Sequence, residues 1–407
     1  MNKMLSFAAA ALALMAVLIC GCEKDPNENP DTDTRSAIER YWADDYTGEY
    51  GIQQGEITVN SKKVPRMFLG GKVLYTVGMN CYNLFVQCWE ADRMRTINME
   101  KTVKVLEKES VPVVRFNCSP FYAHQFHFYF DDKEKYLAHL DTLASWCDRA
   151  HVGLIPSVFF AMFSVPEYYG EELKAFGDVN SKTYAHMLSY TTDVVNVLKK
   201  HKCLFMWEFA NEGNLQCNIA GAGFPDISAT DLAVAYKGFA DLVESLDEHH
   251  RVIASGNSIM RNAQWHLLHD NSWLDDSYAQ YVEITDLLTP KPMTGMSEHI
   301  YDDSRVFSDK GQVNRNDQVA YAKQAADELG NVYYVGEFTG PPSAKGDSLE
   351  VRRHLIAFYA NKVQVSLMWN YALKADVEWS FRADTPYGNM AFNLMREYNE
   401  RFKTVKE

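Results

Sequence analysis

The chain is poor in the features that mark several large functional classes. It carries no basic run, and its 40 Lys and Arg are outnumbered by 54 Asp and Glu, giving a net charge of −14. Such a surface repels nucleic acid and anionic lipid and suits a neutral ligand. No Walker, GxSxG or HExxH pattern is present, and no GxGxxG follows the first apolar run, Val73–Gly78. None of the eight cysteines has CxxC or zinc spacing. His249-His250 and the His266/His269 pair lack a third ligand nearby and read as surface residues. Asp275-Asp276 and Asp302-Asp303 read as solvated loop pairs. No metal and no cofactor is expected.

Lys3 precedes an apolar stretch of 13 residues, Phe7–Ile19. A bilayer span needs about 20 residues, so this stretch reads as a signal segment. Ile19-Cys20-Gly21-Cys22 resembles a bacterial lipobox. That resemblance implies removal of residues 1–21, lipidation of Cys22, and anchorage in a bacterial outer membrane, facing the cell surface or the periplasm. An ordinary secretory signal cleaved nearby is the alternative. Glu23-Lys24-Asp25 resembles the acidic export tag of surface lipoproteins. Residues 23–40 have almost no apolar side chains and cannot repay their ordering entropy. A flexible tether is expected over 22–45 and one domain over 46–407. In an oxidising compartment, Cys81 and Cys88 are either bridged or two buried thiols.

Eight apolar runs recur: Val73–Gly78, Pro112–Phe116, Gly153–Val158, Leu204–Phe209, Val252–Ser255, Thr294–Ser297, Val332–Val335 and Val365–Trp369. Their starts are 39, 41, 51, 48, 42, 38 and 33 residues apart. Helix-period stretches separate most of them: Met99–Glu109, Lys135–Ala150, Thr183–Lys200, Ala229–Leu246, Asp317–Leu329 and Leu349–Ala360. Ser272–Leu288 is the best helical segment after the fifth run, and Met390–Phe402 would close the chain. Runs apolar on both faces fit parallel strands, and eight strand–helix units predict a (β/α)8 TIM barrel of the α/β class. Gly51–Val59 and Met67–Leu69 would form a short hairpin that plugs the N-terminal end of the barrel.

Catalytic groups in such a barrel sit where strands end. Glu212 follows the fourth run, within Trp207-Glu208-Phe209-Ala210-Asn211-Glu212, and Glu337 follows the seventh. They are 125 residues apart in sequence, about three strand–helix units. Two carboxylates converging at one end of a barrel are what cleavage of a glycosidic bond requires. With these residues in place, the chain resembles the glycoside hydrolases of clan A, family 5, from Val73 to about Phe402. Asn211-Glu212 and Glu337 match the catalytic pattern of the clan, and Trp-Glu-Phe-Ala-Asn-Glu is similar to a β-mannanase motif, with Gly213 in place of Pro. Arg115, the His299-x-Tyr301 pair and Trp369 match further strand-exit residues, and Gly78-Met79-Asn80-Cys81-Tyr82 resembles the opening motif of mannanase-like members. The alternative for Arg115 is a structural pair with Glu208 buried inside the barrel, shaping the fold. Many members carry a His after the third strand; here Val158-Phe159-Phe160-Ala161 has none.

The resemblance implies a retaining endo-β-glycosidase acting on a plant β-1,4-linked polysaccharide, most of all β-mannan, with a polysaccharide or oligosaccharide as its partner. Glu212 would be the acid/base with a raised pKa, and Glu337 the nucleophile, kept ionised by Arg115 and Tyr301. Asn211 would meet the sugar 2-OH and Trp369 would floor the sugar. A β-glucanase, an exo-β-glycosidase and a non-catalytic glycan-binding lipoprotein are the alternatives. The aromatic loop Phe159–Gly177 and the Gly-rich loop Gly213–Ile227 are expected to wall a cleft, with Tyr168 and Tyr169 facing substrate.

Overall fold

The computed structural model describes residues 33–89, 94–219, 226–338, 348–373 and 380–405. The signal segment, Cys20 and Cys22 lie outside the described residues. No described helix is long and apolar enough to cross a membrane.

The described chain begins with a helix, not with a tether that runs to residue 45. Helix α1 (Ala37–Trp42) starts at a capping box between Ser36 and Glu39. Tyr41 is fully buried; its hydroxyl donates to the Lys202 carbonyl at 2.5 Å and accepts from Gly51 N at 2.9 Å. Composition hid this because a single amphipathic turn holding one buried Tyr adds little to the apolar count.

Strands β1 (Gln53–Val59), β2 (Lys62–Leu69) and β3 (Lys72–Val73) form a small antiparallel sheet. Asn60 and Ser61, both at positive φ, make the first two-residue turn, and Gly70 and Gly71 the second. Val73, expected in the first barrel strand, pairs with Phe68 in this sheet instead. The barrel strand begins at Thr76.

Eight parallel strands close the barrel: β4 (Thr76–Asn80), β5 (Val113–Asn117), β6 (Gly153–Phe159), β7 (Trp207–Ala210), β8 (Ile253–Ala254), β9 (Gly295–His299), β12 (Val332–Phe338) and β13 (Val365–Met368). A two-stranded ribbon, β10 (Val306–Phe307) with β11 (Gly311–Gln312), lies between β9 and β12. The principal outer helices are α2 (Ile97–Lys108), α4 (Lys133–Ala150), α6 (Lys182–Leu198), α7 (Ala229–Leu246), α9 (Tyr278–Leu287), α10 (Arg315–Leu329), α11 (Ser348–Ala360) and α12 (Pro386–Phe402). Three short helices sit in connections: α3 (His127–Asp131), α5 (Ser164–Tyr169) and α8 (Gln264–His269).

The predicted (β/α)8 architecture is therefore the observed one. Its floor is apolar: Tyr41, Ile52, Met67 and Leu69 from the N-terminal elements pack with Val113, Ile155, Phe205, Val252, Val332 and Val365. That cluster seals the end where the strands begin and leaves the opposite rim for chemistry. Cys81, Cys88, Cys118, Cys147, Cys203 and Cys217 are all buried thiols, so Cys81 and Cys88 are not bridged. A core of this size does not depend on covalent staples.

Candidate active site

Strand alternation brings Arg115 of β5, Glu208 of β7 and Tyr334 of β12 into the barrel interior, and all three are fully buried. Strict alternation would turn Glu337, three residues after Tyr334, outward. A register shift falls between Val335 and Glu337 in the pairing with β9, and β12 also slips against β13 there. This bulge, with Gly336 at its centre, turns Glu337 back inside. A Cβ on Gly336 would lie 2.7 Å from His299 Nε2, so the residue also keeps space for the imidazole.

Glu212 reaches the same place by another backbone device. It has φ +56° and ψ 31°, the left-handed region, uncommon for a residue with a side chain. Its N–H donates to the Gly256 carbonyl at 2.9 Å. One carboxylate oxygen each of Glu212 and Glu337 and a ring nitrogen of His299 all lie within 4.8 Å of one another.

The network around this pair accounts for every polar residue expected at the site. Arg115 donates through one terminal nitrogen to Glu337 Oε1 at 2.8 Å and to Asn80 Oδ1 at 3.0 Å. Its other terminal nitrogen donates to Asn211 Oδ1 at 2.8 Å, which leaves the Asn211 amide hydrogens for a ligand. The Tyr301 hydroxyl donates to Glu337 Oε2 at 2.6 Å. His299 Nδ1 lies 2.8 Å from Glu212 Oε1 and 3.5 Å from Glu337 Oε2. Both Glu337 oxygens are thus occupied by donors, while the Glu212 side chain remains 29% exposed. Cation-ligand spacing among these atoms competes directly with Arg115 and Tyr301 for Glu337, so the donor set fits a carboxylate dyad better than a metal.

Trp369 is half-buried and stacks on Tyr82 at 5.7 Å and on Phe160 at 6.3 Å. Phe160 also lies 5.2 Å from the Arg115 guanidinium. Phe160, the residue after β6, thus covers the cation. From Phe160 the rings continue to Phe121, and from Phe121 to Tyr122 and Phe163, which are 49% and 40% exposed.

Two expectations are corrected. Burial pushes Glu212 up, but the His299 bond and charge, with the Ser258 bond and the Arg115 charge, together outweigh it, and its carboxyl sits below the usual range. Burial pushes Glu337 up further than His299 and Arg115 pull it down, and the neighbouring Glu212 charge adds to the rise. The expected directions are therefore reversed, because the imidazole sits nearer Glu212 while Glu337 is the more deeply buried. Tyr301 is held well above its ordinary range by burial and by Glu337, so it remains a proton donor in the network. The second correction concerns Tyr169. Its hydroxyl meets His186 Nδ1 at 3.1 Å on α6, whereas Tyr168 stacks on Phe130. Helix α5, not foreseen within 159–177, turns Tyr169 inward.

Sequence reasoning did not count Asn80, Phe160, Glu208 and Tyr334 among the site residues. Glu208 was read only as a structural partner for Arg115, a pairing the structure contains, and Asn80 lay in a quoted motif. Phe160 and Tyr334 carried no signal distinct from core packing.

No family model matches the chain, and no curated protein does. Solved structures do. An endo-1,4-β-mannanase from Rhizomucor miehei superposes with a TM-score of 0.64 at 15% identity, over 87% of this chain and 100% of that one. An endo-β-1,4-mannanase from Thermotoga petrophila gives 0.58 at 16% identity, over 83% and 79%. An exo-β-1,4-mannosidase from an Opitutaceae bacterium gives 0.55 at 15% identity, over 86% and 63%. At these identities the likeness is one of fold, and this chain shares the barrel architecture of those three enzymes.

Proposed function

We propose that this chain is a retaining β-glycoside hydrolase of clan A, family 5 type, cleaving a β-1,4-linked mannan. The observation that carries the reading is the approach of Glu212 and Glu337, with one carboxylate oxygen of each within 4.8 Å of the other. Retaining enzymes hold the two carboxyl groups about 5–5.5 Å apart, whereas inverting ones need roughly 6.5–9.5 Å to admit a water.

The roles follow from access and donors. Glu337 has both oxygens bound by donors and faces the interior, so it attacks the anomeric carbon as a carboxylate. Glu212 keeps an exposed flank from which to protonate the departing glycosidic oxygen. A glycan filling the cleft covers that flank and adds desolvation, which raises Glu212 toward the acid role. Esterification of Glu337 then removes a negative charge beside Glu212, which favours its ionised form as base for the incoming water. Asn211, fixed by Arg115, offers its amide hydrogens to the 2-OH, and Trp369 provides the stacking floor. Mannan is favoured over other β-glycans by the Trp-Glu-Phe-Ala-Asn-Glu segment and by the mannanases and mannosidase that share the barrel. The presence of an exo-acting enzyme among them keeps exo cleavage as the second reading. Anchorage through a lipidated Cys22 is part of the same proposal, as is placement at a bacterial outer membrane.

The test is a screen of the purified protein on mannan, glucomannan, xyloglucan and cellulose, with product lengths and anomeric configuration followed by NMR. Short oligomannosides released first as the β-anomer support the reading. Binding without turnover on every substrate would leave a glycan-binding protein instead. Release of mannose alone would select the exo reading.

A further inference from the structure

Glu208 is a buried carboxylate that the mechanism above does not use. It is fully buried on β7, four residues before Glu212, and faces the barrel interior below the catalytic pair. Arg115 Nε donates to it at 2.8 Å and 2.9 Å, one contact to each oxygen. The Tyr334 hydroxyl donates to its Oε2 at 2.6 Å. Space for it is built into the backbone: Gly256 has φ +75°, and a Cβ there would stand 2.8 Å from the Glu208 carboxyl carbon and 1.8 Å from the Ala210 carbonyl oxygen.

The Arg115 guanidinium therefore lies between two carboxylates, with Glu208 on Nε and Glu337 on a terminal nitrogen. Its remaining partners, Asn80 and Asn211, are neutral. Because the guanidinium is planar and rigid, fixing Nε also fixes where the two terminal nitrogens point. We propose that Glu208 is a positioning residue that aims Arg115 at Glu337 and Asn211 and takes up its charge, so that Glu337 keeps the basicity of a nucleophile.

The sign follows from the charges. With Glu208 present, one cation is shared by two anions, and burial pushes the Glu337 carboxyl up. Without it, the whole guanidinium charge falls on Glu337, which then stays ionised to lower pH and becomes a weaker nucleophile. The other groups facing Glu337 are Glu212, His299 and Tyr301, whereas Glu208 is hydrogen-bonded by Arg115 and Tyr334. The catalytic consequence rests on the glycosidase reading; the charge balance does not, and it can be read without substrate.

The experiment follows the Glu337 carboxyl by 13C NMR of glutamate-labelled protein, with its signal assigned by loss in Glu337→Gln. Glu208→Gln should move the Glu337 midpoint down by about one pH unit or more. Glu208→Asp keeps the charge but draws it back, and should move the midpoint a shorter way in the same direction. In turnover on an aryl β-mannoside, the acidic limb of kcat/KM should follow the same order. A purely structural role would lower Tm and leave the midpoint in place. If Glu208→Gln does not fold, the Asp variant decides. An unmoved Glu337 midpoint in the folded variants overturns the proposal. Lack of turnover by the wild type, with the midpoints still shifting, overturns only the glycosidase reading.

Discussion

His299 Nδ1 stands 2.8 Å from Oε1 of Glu212, close enough for the imidazole to govern how that carboxyl titrates. The contact opposes the upward push of burial on Glu212 and, with Ser258 and Arg115, leaves it below the usual carboxylate range. His299→Asn removes this constraint, so Glu212 should hold its proton to higher pH. The basic limb of kcat/KM should move up. Turnover should fall about 10- to 100-fold, the worth of one hydrogen bond to a charged group. A pH–rate profile on an aryl β-mannoside checks this, and an unmoved basic limb would contradict it.

The two carboxyls should affect stability in opposite directions. Glu337 is held above its unfolded value, so its contribution to stability is complete below the ordinary glutamate range, about 4.3, and is lost as pH rises through the folded value. Glu337→Gln should therefore raise Tm at pH 7 and give no gain near pH 3. Glu212 is held low, so its contribution is present above the ordinary range and is lost as pH falls through the folded value. Glu212→Gln should lower Tm at pH 7. Calorimetry of both variants across this range is the measurement, and shifts of the same sign at pH 7 would refute the assignment.

Gly336 supports the site by leaving room. A methyl group there meets the His299 ring at 2.7 Å and 2.9 Å from Nε2 and Cδ2, so the ring must move. Gly336→Ala should cost about 100-fold in turnover, the scale of a 1 Å misplacement. In a His299→Asn background the same change should cost much less, because the clash has gone. Equal losses in both backgrounds would show that the bulge acts by another route.

The aromatic rings that continue outward from Trp369 make a distinct prediction about substrate length. Tyr122 and Phe163 are exposed and reach Phe160 through Phe121. Replacing both with Ala should weaken cleavage of polymer about tenfold or more, at ~1 kcal/mol or more per stacking ring, and spare a short aryl glycoside. Tyr169→Ala should affect stability, not substrate length, because its hydroxyl is committed to His186. Comparable losses on long and short substrates would remove these rings from the cleft.

Much of this was legible because parallel strands and their exits leave strong marks. The runs at Gly153 and Val332 match β6 and β12 at their first residues, and Glu212, Asn211, Glu337, Arg115, His299 and Tyr301 meet in one hydrogen-bonded network. The first barrel strand was misplaced because Val73 is equally at home in a hairpin, and apolar pattern alone does not choose between partners. The positive φ of Glu212 and the bulge at Gly336 left no trace in periodicity, since each depends on contacts from other strands. The carboxyl pKa directions were also beyond the sequence, because burial and the position of one imidazole decide them.

The sealed floor has a consequence for proton traffic. Tyr334 belongs to the same apolar cluster as Ile52, Met67 and Phe205, so the layer of Arg115, Glu208 and Tyr334 rests on an apolar base. The exposed flank of Glu212 is its contact with solvent, and under the glycosidase proposal a glycan lying across that flank would slow the exchange of its proton with bulk water.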